Sequence, residues 1–263
     1  MKAYAKINLA LAVGPTRSDG KHEVTTVLQR IALADEVTLE TAPALGVTGF
    51  EDDSLVRRAL ELLARTADVS PAWAVHIDKQ IPVAAGLGGG SSDAAAALRL
   101  ANDTLDRPLP ADTLHRIAAA IGVDVPFFLT EGPQLGEGDG TELTPLDLPQ
   151  DYTVLVLVPT GESKHSTRAV YAAFDERGGA AGYAERRARL LEALAAGDLA
   201  RLPGNDLAAS PLAAELRRLG AIRADVSGAG PALYALFADA ERAAGARAQV
   251  EARGRAWVGP PAW

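Results

Sequence analysis

The run Pro82-Val83-Ala84-Ala85-Gly86-Leu87-Gly88-Gly89-Gly90-Ser91-Ser92 constrains this chain more than any other, because nearly all its residues are small enough to present backbone amides to a ligand. Before it, residues 73–81 alternate Val75 and Ile77 against His76 and Asp78, which predicts a strand. After it, residues 92–105 are rich in Ala and Leu and predict a helix with Ser and Asp at its start. A strand therefore delivers a glycine loop to a helix N-terminus. Unpaired amides and about half a unit of positive charge meet there and stabilise an anion such as a nucleoside triphosphate without any basic side chain. Two other phosphate-loop spellings fail: no Lys precedes Ser91 or Ser92 as a Walker A loop requires, and Ser91 stands where a dinucleotide fingerprint has its third Gly. A flexible loop or packing corner is the bland alternative, but Gly86, Gly88, Gly89 and Gly90 followed by two serines favour the phosphate cradle. Ser91 and Ser92 read equally as N-caps, and one hydroxyl can cap while the other reaches the ligand.

The rest of the composition limits what that cradle serves. A chain of 263 residues with 48% hydrophobic content has material for two modest domains. Its formal charge of -8 argues against binding of nucleic-acid backbones, so a small anionic ligand must be held by local positive groups. There is no cysteine, which removes thiolate metal sites and cysteine nucleophiles, and the four histidines, His22, His76, His115 and His165, lack ligand spacing for zinc. Polar residues interrupt the start of the chain and no long apolar span occurs, so the expectation is a soluble cytoplasmic protein with no membrane partner.

Residues 3–13 predict a strand with Ala5, Ile7, Leu9, Leu11 and Val13 on one side and Tyr4, Lys6 and Asn8 on the other. A turn at Ser18-Asp19-Gly20 leads to a second strand over 23–33, and 36–40 predicts a third. Helices are expected over 54–66 and 111–121, the latter closed by Gly122. The Gly-, Pro- and acid-rich stretch 131–150 reads as a separator, with a domain boundary near Leu148 dividing the chain into 1–148 and 149–263. The second part predicts strands at 153–158, 222–226, 232–237 and 255–258 and helices at 183–196, 211–219 and 240–252. The expected class is α+β: a β-rich first domain, then a mainly antiparallel sheet with helices on one face.

Three further places could carry chemistry. Ser227-Gly228-Ala229-Gly230-Pro231 reads first as a hairpin turn and gains interest only beside the first loop. Asp124, two residues before Pro126, reads as a helix cap or as a carboxylate needing a basic partner such as Lys6. Lys6 is equally a solvated strand lysine, His22 a loop residue and Tyr171 a helix core residue.

Taken together, Ala5-Lys6-Ile7-Asn8-Leu9, Asp19-Gly20-Lys21-His22-Glu23, the run 82–92 with Asp93-Ala94-Ala95, Gly122-Val123-Asp124-Val125-Pro126-Phe127 and Ser227-Gly228-Ala229-Gly230 resemble the GHMP kinase superfamily over most of the chain. The Lys-x-Asn start, the Asp-Gly-x-His turn and the Asp-Val-Pro segment resemble the branch that phosphorylates a diphosphocytidyl alcohol. The resemblance implies a two-domain fold and transfer of the γ-phosphoryl of ATP, with Mg2+, to the tertiary hydroxyl of a diphosphocytidyl-methylerythritol in isoprenoid biosynthesis. It implies Asp124 as catalytic base and Lys6 as catalytic lysine; Leu55, Lys79 and residues Pro82 to Ser92 around ATP; and Asn8, Lys21, His22, Thr167, Tyr171, Gly228 and Gly230 around the substrate. It fixes neither metal ligands nor oligomeric state. Lys21 stands where the family commonly has an aromatic, Ser54 where it often has Asn, and Ala84-Ala85 where it often has a Gly pair. A GHMP kinase for another small alcohol and a non-catalytic nucleotide-binding member are the alternatives.

Overall fold

In the computed structural model, residues 1–50, 54–161 and 166–262 are described. His165 lies outside them. Contacts divide the chain into two compact units, one of Met1–Ala5, Leu33–Val83 and Gly88–Glu131, the other of Lys6–Ala32, Ala84–Leu87 and Gly132–Trp263. Neither is one continuous stretch, because the long strands β1 (Lys2–Thr16) and β2 (His22–Thr41) contribute to both. The break expected in β2 near Asp35 does not exist: that carboxylate is buried inside a single strand.

In the first unit, β4 (Trp73–Asp78) pairs antiparallel with the end of β2, from Glu36↔Asp78 to Thr41↔Trp73, and parallel with β3 (Gly46–Thr48) on its other edge. Its alternation is as the sequence implies, with Trp73, Val75 and Ile77 buried and Ala74, His76 and Asp78 exposed. Helices α1 (Ser54–Ala67), α2 (Gly89–Asp103) and α3 (Ala111–Ile121) pack together; α1 buries Val56, Ala59, Leu60 and Leu63, and α2 buries a run of alanines that permits close approach. Gly122 closes α3, and a 3-10 turn follows over Pro126–Leu129.

In the second unit, the supposed separator is a hairpin, β5 (Gln134–Glu137) and β6 (Glu142–Pro145), which pairs with β2 through Thr26↔Gly136 and Leu28↔Gln134. Its glycines serve the turn, where Gly138 and Gly140 have φ of 66° and 103°. Strands β7 (Thr153–Pro159), β8 (Arg223–Val226), β9 (Leu233–Phe237) and β10 (Gly254–Gly259) form an antiparallel sheet ordered β10-β7-β9-β8. Helices α6 (Pro211–Arg218) and α7 (Ala240–Val250) set Ala213, Leu216, Ala243, Ala246 and Val250 against Leu155, Leu157, Leu233 and Phe237 of that sheet, as the α+β plan requires. Helices α4 (Thr167–Glu176) and α5 (Tyr183–Ala195) complete the unit with β11 (Pro261–Ala262), a short strand beside Ile31 and Arg30 that the sequence pattern did not announce.

Candidate active site

Helix α2 starts at Gly89, three residues before the expected Ser92, with Gly88 in the cap position at φ 70° and no side chain capping it. Ser91 and Ser92 are therefore not N-caps. The first intrahelical bond runs from Ser92 N–H to Gly88 O at 2.9 Å, so the amides of Gly89, Gly90 and Ser91 precede the ladder, the arrangement that an anion site at a helix start requires. A Cβ on Gly90 would sit 3.4 Å from Leu55, at the start of α1, and one on Gly89 would sit 3.3 Å from Lys79 Nζ and 3.0 Å from Ile81. Leu55, Lys79, Gly89 and Gly90 thus gather at one end of α2. Pro82 and Val83 lie in the turn before it, Val83 with 61% of its surface exposed. Asp93 is the fifth helical residue and fully buried, and it forms an ion pair with Lys79 at 2.6 Å.

The loop's start is held by Asp35, whose Oδ1 accepts the N–H groups of Gln80 at 2.6 Å and Ile81 at 2.7 Å while Oδ2 accepts from Lys79 at 2.6 Å. Burial pushes the Asp93 carboxyl up to about 7 against the pull of Lys79, and Lys79 is itself raised, burial being outweighed by its two carboxylates. The Lys79 ammonium is thereby matched by acids, which leaves its methylene stem as the part able to line a pocket.

Residues Ala84–Leu87 pack with the second unit. Ala84 has φ 60°, a left-handed backbone that explains why Gly is common there in the family it resembles. Gly86, at φ 85°, lies so close to the second glycine turn that a Cβ would fall 2.3 Å from Ser227 O. Ser227 Oγ donates to Gly86 O at 2.9 Å and accepts from Asn8 N–H at 3.3 Å; Ala232 N–H bonds Ala85 O, and Lys6 N–H bonds Leu87 O at 2.9 Å. The Ser227–Pro231 segment is the turn between β8 and β9, so its hairpin reading holds, and it also clasps the first glycine loop.

Lys6 and Asn8 are 4% and 5% exposed, so Lys6 is not a solvated strand lysine. Lys6 Nζ donates to Asn8 Oδ1 at 2.7 Å, and Asn8 Nδ2 donates to Thr26 Oγ1 at 2.8 Å, which fixes the amide's orientation. A Cβ on Gly228, at φ 56°, would lie 3.3 Å from Asn8 Oδ1 and 3.7 Å from Lys6 Nζ. Lys6, Asn8, Gly86, Ser227 and Gly228 form one cluster, and Gly230 borders it with its backbone 3.2 Å from the Cβ position of Gly86. Asn205 supports the turn by donating Nδ2 to Val226 O and Gly228 O at 2.9 and 2.7 Å. Asn205 escaped the sequence reading, and Ser227, named there as the first residue of the glycine turn, was given no role of its own.

Asp124 lies in the first unit, in the turn after α3, half-buried between exposed Val123 and buried Val125. The cap of the 3-10 turn is Val125, with no side-chain bond, so Asp124 does not hold the capping position expected of it. A third cluster surrounds His22: its ring centroid lies 4.7 Å from Tyr171 at a 36° tilt and 6.0 Å from Phe174, and Nε2 is 2.7 Å from Asp175 Oδ1. Lys21 does not join it, since its Nζ pairs with Asp139 in the β5–β6 turn. Thr167 is exposed on the first turn of α4, which Ser166 caps.

The GHMP kinases N terminal domain profile matches residues 54–132, and the GHMP kinases C terminal profile matches 208–256. The 4-diphosphocytidyl-2-C-methyl-D-erythritol kinase of Corynebacterium efficiens is 41% identical to this chain, the alignment covering 92% of this chain and 86% of that protein. The kinase of the same name from Nocardia farcinica is 39% identical, with 97% and 90% covered. A crystal structure of 4-(cytidine 5'-diphospho)-2C-methyl-D-erythritol kinase superposes with a TM-score of 0.82 at 30% identity, covering 100% of this chain and 99% of that one. L. major mevalonate kinase in complex with R-mevalonate, at TM-score 0.74, 19% identity and 99% and 95% coverage, shares the fold.

Proposed function

This chain belongs to the 4-diphosphocytidyl-2-C-methyl-D-erythritol kinases of the GHMP kinase superfamily, and from that membership we propose how its residues carry the reaction. It is a small-molecule kinase that transfers the γ-phosphoryl group of ATP to the 2-hydroxyl of 4-diphosphocytidyl-2-C-methyl-D-erythritol, a step of isoprenoid biosynthesis. The two profile matches fall on either side of residue 148, which supports 1–148 as the ATP-binding domain and 149–263 as the C-terminal domain.

The observation that carries the nucleotide reading is the start of α2 at a Gly88 cap, which has no side chain to compete for the leading amides. Residues Pro82, Val83, Ala84, Ala85, Gly86, Leu87, Gly88, Gly89, Gly90, Ser91 and Ser92 hold the phosphates, and Leu55 with the Lys79 stem lines the adenine pocket. Mg2+ would accompany ATP and offset part of the triphosphate charge. Among the described residues no three His, Cys, Asp or Glu converge on a metal position.

Asp124 accepts the proton of the acceptor hydroxyl as its oxygen attacks the γ-phosphorus, and Lys6 offsets charge on the transferred phosphoryl oxygens. The protein's contribution is positioning and electrostatics, since the phosphorus chemistry needs no covalent intermediate. Asn8, Gly228 and Gly230 contact the acceptor arm. His22 hydrogen-bonds the cytosine edge and Tyr171 stacks on the ring, with Thr167 and Lys21 at the margin. The 4.7 Å approach of His22 to Tyr171 supports a shared aromatic site. The protein works in the cytoplasm on a free small molecule; among the described residues no helix is long and apolar enough to cross a membrane.

Phosphorus NMR of full-length protein with ATP, Mg2+ and the diphosphocytidyl alcohol tests the reading. A new phosphomonoester signal growing with ADP supports it. Turnover of mevalonate or homoserine without turnover of the diphosphocytidyl alcohol overturns it.

A further inference from the structure

Lys79, Asp35 and Asp93 meet beneath the first turn of α2, and the reaction as derived leaves the two carboxylates without a task. One ammonium serves two acids, 2.6 Å from an oxygen of each, and 3.3 Å from the position a Cβ on Gly89 would take. Asp35 and Asp93 are 1% and 0% exposed. Two buried carboxylates sharing one ammonium leave one negative charge uncompensated, and a buried site relieves that by holding a proton.

The hydrogen bonds decide which acid holds it. Asp35 accepts two backbone N–H groups besides Lys79, so both of its oxygens are already engaged by donors. Asp93 Oδ2 accepts from Lys79, while its Oδ1 is buried with no hydrogen-bond partner among the described residues. Among the described residues the surroundings add no other charge of that strength: α1 turns Val56, Ala59, Leu60 and Leu63 inward, β4 turns Val75 and Ile77, β2 turns Val37, and the 3-10 turn packs Pro126, Phe127 and Phe128. The ionisable groups that act most on Asp93 are Lys79 and Asp35.

We propose that Asp93 is a positioning residue that sets the charge beneath the phosphate cradle, so that ATP binding is coupled to uptake of one proton at Asp93 Oδ1. With the proton on, the triad is neutral and the α2 amides meet a phosphate undiminished; with it off, a buried negative charge opposes the anion. The proton comes from solvent, and no other bond is made or broken. The elevated carboxyl, near 7, puts the exchange in the working pH range. The proposal rests on the reading of this loop as the seat of ATP.

Calorimetric titration of ATP, with Mg2+ in excess, into full-length protein at about pH 7.5 in PIPES and again in Tris reads the coupling directly. Wild type gives heats that differ between the buffers, and an ATP affinity that falls about tenfold from about pH 6 to about pH 8.5 beyond any change in Asp93→Asn. Asp93→Asn keeps the side-chain shape and the acceptor for Lys79 but cannot exchange the proton, so its heats agree between buffers. Its KM for ATP loses the pH step while kcat keeps its profile. Should that variant not fold, a carbon-13 titration of labelled aspartate carboxyls in wild type serves instead, with one carboxyl titrating near neutrality and moving upward on adding ATP. Buffer-independent heats in wild type, unchanged proton uptake in Asp93→Asn, or no carboxyl titrating near neutrality overturns the proposal. Absence of any ATP heat at any pH is a separate result that removes the ATP reading of the loop, and this coupling with it.

Discussion

Replacing Gly86 by Ala isolates the clasp between the two glycine motifs. At φ 85° the residue is left-handed, and a side chain there costs about 1–2 kcal/mol. The new Cβ would also lie 2.3 Å from Ser227 O and 3.2 Å from both Gly230 N and Gly230 O, backbone atoms that cannot rotate away. Relief requires the loop to lift from the turn, which breaks the Ser227 Oγ bond to Gly86 O and the Ala232 N–H bond to Ala85 O at about 1 kcal/mol each. The expected loss is about 3–4 kcal/mol. Gly197→Ala is the control, because Gly197 has φ 64° with nothing among the described residues within 4 Å of a new Cβ and carries only the backbone cost. Urea unfolding followed by circular dichroism compares midpoints at constant slope, and ATP titration reads the loop. Gly86→Ala should lose at least about 2 kcal/mol more than Gly197→Ala and weaken ATP by about tenfold or more, while Gly197→Ala binds ATP as wild type. Equal losses, or unaltered ATP affinity in Gly86→Ala, refute the clasp.

Other perturbations reach other parts of the account. Arg223→Met removes a 6%-exposed guanidinium that bonds Leu9 O, Leu202 O, Pro203 O and Tyr234 Oη, and the orphaned carbonyls lower stability by about 3 kcal/mol or more in urea unfolding. Tyr171→Ala raises KM for the diphosphocytidyl substrate about tenfold by steady-state assay and leaves KM for ATP alone, since Tyr171 packs on His22 in the second unit. Because the folded-state carboxyl of Asp93 is raised to about 7, the folded protein binds more protons than the unfolded chain between about pH 4 and about pH 7. Stability relative to Asp93→Asn therefore falls as pH rises through that window, as urea midpoints across the range should report.

Much of this was legible in the chain. The period-2 alternation of β4 and the apolar run of β7 are local signals, and the glycine loop between strand and helix follows from them. The β8–β9 turn and α3 with its closing Gly122 were equally readable. What the sequence concealed is where polarity is buried. Asp35 looked like a strand break because carboxylates favour turns, yet it shares an alternation with buried Val37, and that register was the available sign of an inward-facing acid. Gly89 and Gly90 looked too flexible for a helix, and only the packing of Leu55 and Ile81 against them explains why α2 begins there. The hairpin of β5 and β6 was hidden by its own turn residues, Gly138, Asp139 and Gly140, which dominate the composition of four-residue strands. The cluster of Lys6, Asn8, Ser227 and Gly228 joins residues more than 200 positions apart, and no local pattern carries that.

The central claim is that Asp124 takes the acceptor's proton, and Asp124→Asn tests it most directly because the amide keeps the shape and loses the base. Single-turnover phosphoryl transfer should slow by about 100-fold or more while the dissociation constant for ATP stays within about twofold of wild type. Transfer at the wild-type rate, or loss of ATP binding in step with loss of rate, contradicts the assignment.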